Sequence, residues 1–407
     1  MPMEPLRILY EDAHLVLCVK PVGVLSEDSA DGACVPALLR AHYRAQGKPD
    51  YIATVHRLDK AVGGVMLFSR RREITGKLTA AIAEHRVTKE YLAVLCGTPS
   101  QPDQPDGTET WREAYEETGA YLQAQTAPTV GSIGGEWAVI GLSRAGLLSD
   151  ETAQSYEQTV EDYVKQAGSV RLHHAKSTEN SRTILGLTAA GYNAANVAGV
   201  DLTAGLTDMA YLRAQGTNGP IWALIALDCH GYDIPQCADG EKQTTREGLV
   251  AEILSYQCRD GGWAMMGDES DVDMTAMALT SLAPYQEEID VKAAVDAALT
   301  YLSDAQQADG GFMSWGAANS ESCAQVIVAL TALGIDPAAD SRFVKNGASP
   351  LDGLCAFACE GGGFRHSDEQ MESDGMATEQ GFYALVAYDR FRQGQTRLFD
   401  MTDIEVK

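Results

Sequence analysis

The sequence predicts a multidomain protein, a small α/β part followed by an all-α α/α6 toroid with inner and outer helical rings. Three observations carry that expectation. Charge changes abruptly along the 407 residues: residues 1–102 hold 13 Lys+Arg and 11 Asp+Glu, while 103–407 hold 18 and 46. Apolar runs before the change are short and β-prone, whereas those after it are helix-length and recur every 40 to 55 residues. Between them lies G-T-P-S-Q-P-D-Q-P-D-G-T, from Gly97 to Thr108, whose prolines and glycines continue neither a helix nor a central strand. The expected organisation is 1–98 for the α/β part, 99–110 for a linker and 111–407 for the helical part.

Composition narrows the class. Hydrophobic content of 45% with 22% charged residues excludes wholesale disorder. No run approaches the ~18 apolar residues of a spanning helix. The start, M-P-M-E-P-L-R-I-L-Y-E-D, places acids where an export signal needs an apolar core, which predicts a cytoplasmic protein. Nine cysteines without a C-x-x-C pair read as free thiols in a reducing compartment. The chain's net charge of −26 divides into +2 for residues 1–102 and −28 for the helical part, which nucleic acid would repel at long range.

In chain order, Leu6–Tyr10 and Leu15–Lys20 are β-prone runs around Glu11-Asp12-Ala13-His14, a hairpin start. Val35–Arg44 reads as a helix, and Tyr51–Val55 and Gly64–Phe68 as strands flanking the loop His56-Arg57-Leu58-Asp59-Lys60. A helix over Arg72–Glu84 and a strand over Val87–Leu95 complete this part. The strings I-L-Y-E-D-x-H-L-V-L-C-V-K-P-V-G-V-L, V-H-R-L-D-K and K-E-Y-L-A-V, in that order, resemble the start of the RluA-type RNA pseudouridine synthases. The resemblance implies an isomerase that converts uridine to pseudouridine in RNA without a cofactor. It places the catalytic carboxylate on Asp59 and the uracil-pocket tyrosine on Tyr91. Detaching a base and reattaching it through another atom needs a carboxylate beside the sugar and an aromatic holding the extruded base. Arg57 would hold a phosphate or keep Asp59 ionised. Many members follow H-R-L-D-K with T-S-G, where this chain has Ala61-Val62-Gly63-Gly64. No R-x-H-Q-x-R-like string follows Tyr91, so the resemblance covers about half of a synthase catalytic domain and leaves a sheet edge unpaired.

The helical part is a repeat. Six apolar segments carry Leu142, Leu187, Leu227, Leu279, Leu330 and Leu385, and each is apolar nearly all round, as a helix buried on both sides must be. Amphipathic segments alternate with them near 111–125, 153–167, 202–214, 244–257 and 350–359. The clearest carries Val291, Ala294, Val295, Ala298, Leu299 and Leu302 on one face. Six buried and six half-buried helices build an inner and an outer ring. Q-C-R-D-G-G-W (Gln257–Trp263), Q-A-D-G-G-F (Gln307–Phe312) and E-G-G-G-F (Glu360–Phe364) each precede an inner helix. They resemble the Q-x-x-G-G-W/F repeats of the terpenoid cyclase and protein prenyltransferase toroids, a superfamily that includes cobalamin carriers. The resemblance implies a toroid over about 111–400 whose cavity takes an apolar or cobalamin-like small molecule. Toroids of this type also occur in secreted proteins.

Asp271-Val272-Asp273-Met274-Thr275-Ala276 resembles the D-x-D-D-T-A of class II cyclases, whose middle Asp protonates an alkene and falls on Asp273. Such an acid needs supporting neighbours in an apolar cavity, and Met274 replaces one of them. Asp273 is therefore expected to cap its helix, with a lowered pKa and a backbone N–H bound two or three residues on. Asp271, Asp273, Trp263 and Trp315 are the candidate ligand-binding residues, with Trp137 and Trp222 as core or cavity wall. Glu136, Glu179 and Glu379 stand at similar helix starts and read as caps. No metal is expected: Glu321, Cys323 and His366 come nearest to a zinc set, but Glu replaces Asp and His366 precedes its helix. The function expected is RNA uridine isomerisation. The alternatives are a non-catalytic ligand-binding toroid and a class II cyclase-like enzyme.

Overall fold

Alternation in L-V-L-C-V-K sets one face of a central strand into the core, and the first sheet is built around it. The computed structural model describes residues 6–28, 34–58, 60, 62–83, 107–125, 128–314 and 316–407. The chain divides into two compact units, Met1–Pro102 and Asp103–Lys407. In the first, strands β1 (Arg7–Glu11), β2 (Leu15–Lys20), β3 (Ala53–Thr54) and β4 (Gly64–Ser69) form a sheet of order β1-β2-β4-β3, with every neighbouring pair antiparallel. The β1–β2 turn closes through the Asp12 carboxylate, which accepts from the backbone N–H of His14 (2.7 Å) and Leu15 (2.8 Å). Helix α1 (Val35–Ala45) starts with a proline in its first turn and buries Val35, Leu39 and Tyr43 on one face. They join Val16, Cys18, Met66 and Phe68 in the core of this unit. Helix α2 (Arg72–Ala83) follows β4. The strand expected over Val87–Leu95 lies outside the described residues.

The second unit alternates two kinds of helix. The all-round apolar segments form α4 (Glu136–Arg144), α6 (Thr178–Ala189), α8 (Asn218–Asp228), α10 (Val272–Leu282), α12 (Ser320–Ala332) and α14 (Gly375–Arg392). Each carries one of the six repeated leucines and packs on the next, and α14 packs on α4, so the six close into a cycle. In α8 every residue from Gly219 to Leu227 is buried. Before or between them come α3 (Gly107–Ala124), α5 (Asp150–Ala167), α7 (Met209–Arg213, after a 3-10 turn at Leu202–Leu206), α9 (Arg246–Ser255), α11 (Ile289–Ala305) and α13 (Pro350–Cys355). These are one-faced: α5 buries Ala153, Tyr156, Val160 and Val164, and α11 buries the six residues its spacing marks.

The glycine repeats are staples. Gln257 Nε2 donates to the carbonyls of Gly261 (2.8 Å) and of Ala294 on α11 (2.9 Å). Gln306 does the same for Gly310 (3.0 Å) and Phe343 (2.9 Å). The repeat therefore runs from Gln306, not from the neighbouring Gln307, which is exposed and bonds only locally. Gly310 sits at φ +86°, and a Cβ there would lie 2.1 Å from the Ser349 carbonyl oxygen. After each turn an aromatic is bracketed by the next inner helix. Trp263 N–H donates to Thr275 Oγ1 (2.9 Å), and Phe364 N–H donates to Thr378 Oγ1 (3.0 Å).

Candidate functional site

In the first unit, the loop of the H-R-L-D string is held from both flanks. Lys20, on the buried face of β2, is fully buried, and its ammonium donates to the carbonyls of Pro21 (3.2 Å), Lys60 (3.3 Å) and Val62. Ser26 Oγ donates to the Leu58 carbonyl and accepts from Leu58 N–H (3.0 Å). His56 Nε2 accepts from Leu67 N–H (3.0 Å) on β4. Arg57 is largely exposed, and its Nε lies 3.4 Å from Glu27 Oε2. Among the described residues, its ion-pair partner is Glu27. Asp59 and Tyr91 lie outside the described residues. Lys20 and Ser26 were not singled out from the sequence, although a lysine at a buried position of an alternating strand was a readable signal.

In the second unit, a cavity of about 630 Å³ opens at the N-terminal ends of the inner helices. Trp137, Trp222 and Tyr383 form an aromatic wall, with ring centroids 5.1 Å apart for Trp137–Trp222 and 5.9 Å for Trp137–Tyr383. Phe399 packs edge-on against Trp222 (5.7 Å) and Tyr383 (6.2 Å) beneath them. Met265, Met266, Met274 and Met277 supply a polarisable apolar rim. Gln325 Nε2 bonds Tyr383 Oη (2.6 Å) and Gln380 Oε1 (2.9 Å), which orients the polar part of the wall.

Asp273 lines this cavity, and it is not the cap. Asp271 is the N-cap of α10: its Oδ1 accepts from Met274 N–H (3.0 Å), and Ser314 Oγ donates to its other oxygen. The neighbouring repeats cap in the same way with Asn319 and Asp374. Two residues beyond those caps stand Asp273, Glu321 and Met376, so the position of Asp273 carries no repeated structural duty. Asp273 Oδ1 has no hydrogen-bond partner among the described residues. Burial raises its pKa from 3.8 to about 6, the nearby charges of Asp271 and Glu321 add to the rise, and Ser322 and Ser314 oppose it. The expected lowered pKa is therefore corrected to a raised one, because the helix starts one residue after Asp271 and leaves Asp273 pointing past the capping amides.

Other expected residues separate. Trp263 is a core residue outside this cavity: it is fully buried, and its Nε1–H donates to the Ile253 carbonyl (2.7 Å). Trp315 lies outside the described residues. Glu136 and Glu379 are ties rather than caps. Glu136 is fully buried, accepts from Gly131 N–H (3.0 Å) and pairs with Arg182 (2.9 Å), while Glu379 accepts from Gly134 N–H (2.6 Å) in the loop entering α4. Glu179 pairs with the same Arg182. His366 Nδ1 lies 2.8 Å from Glu321 Oε2, and burial pushes the Cys323 thiol up to about 12. Tyr383, Gln325 and Gln380 were missed from sequence, since only closure of the ring brings their faces together.

Residues 14–180 match the family model described as RNA pseudouridylate synthase, a span that runs past the boundary between the two units. Ribosomal large subunit pseudouridine synthase D of Xanthomonas campestris pv. campestris is 36% identical over 96 residues, 23% of this chain and 29% of that protein. The dual-specificity RNA pseudouridine synthase RluA of Salmonella typhi is 35% identical over 105 residues, 24% of this chain and 44% of that protein. The chain thus spans between 28 and 44% of the length of these and similar relatives. Among solved structures, ent-copalyl diphosphate synthase from Streptomyces platensis aligns with a TM-score of 0.40 at 16% identity, covering 67% of this chain and 50% of that one. The sequence likeness supports a pseudouridine synthase-type N-terminal region. Among the described residues, no helix is long and apolar enough to cross a membrane.

Proposed function

We propose that the N-terminal unit acts on RNA as a pseudouridine synthase-type isomerase, with Asp59 as the carboxylate at the sugar and Tyr91 stacking on the base. The observation that supports it most is the fixing of both flanks of Asp59, by Lys20 on one side and Ser26 on the other. A catalytic carboxylate gains from such fixing because its geometry is set before substrate arrives. Moving the glycosidic bond from N1 to C5 releases the C5 proton and protonates N1, so atoms balance without a cofactor. Arg57 is available to an RNA phosphate, because its exposed pair with Glu27 is worth only about 0–1 kcal/mol. The test is tritium release from RNA carrying [5-³H]uridine, using the full chain. Release by the wild type and its loss in Asp59→Asn is the expected result; equal release by both refutes the assignment.

A second reading concerns the helical unit, and it is favoured by Asp273, which lines the lumen with one carboxylate oxygen unpartnered among the described residues. We infer that the closed cycle is an α/α6 toroid of the cyclase–prenyltransferase kind, whose lumen takes an apolar alkene against Asp273. With its pKa raised to about 6, Asp273 is protonated in mildly acidic solution and can donate that proton to the alkene; Trp137 and Trp222 offer π-faces to the cation formed, which closes and loses a proton to solvent. Non-catalytic binding of an apolar or cobalamin-like molecule is the alternative in the same cavity. Incubation with a linear polyprene followed by gas chromatography–mass spectrometry separates the two. Cyclised product lost in Asp273→Asn supports the acid, and only unchanged polyprene refutes it.

A further inference from the structure

A second cavity, of about 340 Å³, lies between α3, α4 and α14, on the other side of the inner helices from Asp273. The two cavities use alternate faces: on α4, Trp137 lines the lumen and Ala138 the second cavity, and on α14, Gln380 and Glu379 divide likewise. Its wall is mixed: Leu122 from α3, Leu142 from α4, and Ile133, Leu147 and Leu148 from the loops around α4 form an apolar patch beside polar Gln123, Thr152 and Thr378. Glu379 is the one carboxylate in that wall among the described residues. It is 3% exposed, its Oε1 is taken by Gly134 N–H, and its Oε2 has no hydrogen-bond partner among the described residues.

Among the described residues, no cationic side chain pairs with it. Glu136 of α4 and Asp374 before α14 are like charges, and they add to burial in raising its pKa to about 7, against the N–H groups of Gly134 and Ala138. Arg182 is committed to Glu136 and Glu179. A buried acceptor left without a donor is costly, and a donor arriving on a ligand recovers that cost. The unit as a whole, with 18 Lys+Arg against 46 Asp+Glu, draws cations at long range.

We propose that this cavity binds a small apolar amine, whose ammonium donates to Glu379 Oε2 and whose hydrocarbon body fills the space between α3, α4 and α14. An apolar cavity of about 150 Å³ already holds benzene, so the space here suits an aryl-alkyl amine. The experiment is isothermal titration of the full chain with 4-phenylbutylamine and with its neutral counterpart 4-phenylbutan-1-ol. The amine should bind saturably and at least tenfold more tightly than the alcohol. Glu379→Gln should remove that preference, Ala138→Phe should abolish binding by filling the space, and Asp273→Asn should leave it unchanged. No saturable binding, equal binding of the alcohol, or amine binding that survives both Glu379→Gln and Ala138→Phe would overturn the proposal. Should Glu379→Gln fail to fold, the amine–alcohol comparison on the wild type decides alone.

Discussion

Replacing Asp273 by Asn should stabilise the protein at neutral pH and leave it nearly unchanged in acid. The carboxyl is held at about 6 in the folded chain, against an ordinary value of 3.8. The folded state then binds the proton more tightly than the unfolded state, and stability falls as pH rises through that window. At about 1.4 kcal/mol per pH unit, the loss is complete above pH 7 and comes to about 3 kcal/mol. Asn is near-isosteric with the neutral acid and carries no such term. Urea unfolding of wild type and Asp273→Asn at pH 4 and pH 7.5, followed by circular dichroism, reads the difference. The two should differ by only about 0.6 kcal/mol at pH 4 and by about 3 kcal/mol in favour of the variant at pH 7.5. A capping Asp predicts the opposite, a variant no better or worse at pH 7.5. That outcome would refute the placement of Asp273 in the cavity.

Three further outcomes follow from the helical unit. Asp271→Ala should cost about 1 kcal/mol and speed amide exchange at Met274, since the cap N–H bond is lost. Arg182→Leu should cost about 3–5 kcal/mol in urea unfolding, because it strands the fully buried Glu136 without its partner. Gln306→Ala should cost about 1–3 kcal/mol by leaving two buried carbonyls without a donor, whereas Gln307→Ala should stay within about 0.5 kcal/mol. Equal effects at the two glutamines would contradict the staple.

Much of the helical architecture was legible because burial repeats. The spacing of Val291 to Leu302 marks one face of α11, and the six leucines mark helices with no polar side, so both ring layers could be read from periodicity alone. What failed was choice between neighbours. Gln306 and Gln307 are adjacent and chemically identical, and only the turn at Gly310 selects the one whose amide reaches both carbonyls. Asp271 and Asp273 are both competent caps, and the strand-like bridge from Trp263 to Asp271 decides where the helix starts. Tyr383, Gln325 and Gln380 lie on helices read as uniformly buried, so which residues face the lumen depended on how the ring closes. In the first unit the motif order pointed to the loop at residues 56–60, but not to Lys20, whose buried ammonium donates to three carbonyls.

The central claim is that uridine chemistry belongs to the N-terminal unit and is independent of the helical lumen. Chemical mapping of pseudouridine in bacterial ribosomal and transfer RNA, incubated with the full chain and with two variants, tests it most directly. Wild type and Asp273→Asn should form pseudouridine to the same extent, while Asp59→Asn should form none. Pseudouridine formed equally by Asp59→Asn, or by none of the three proteins, would contradict the account.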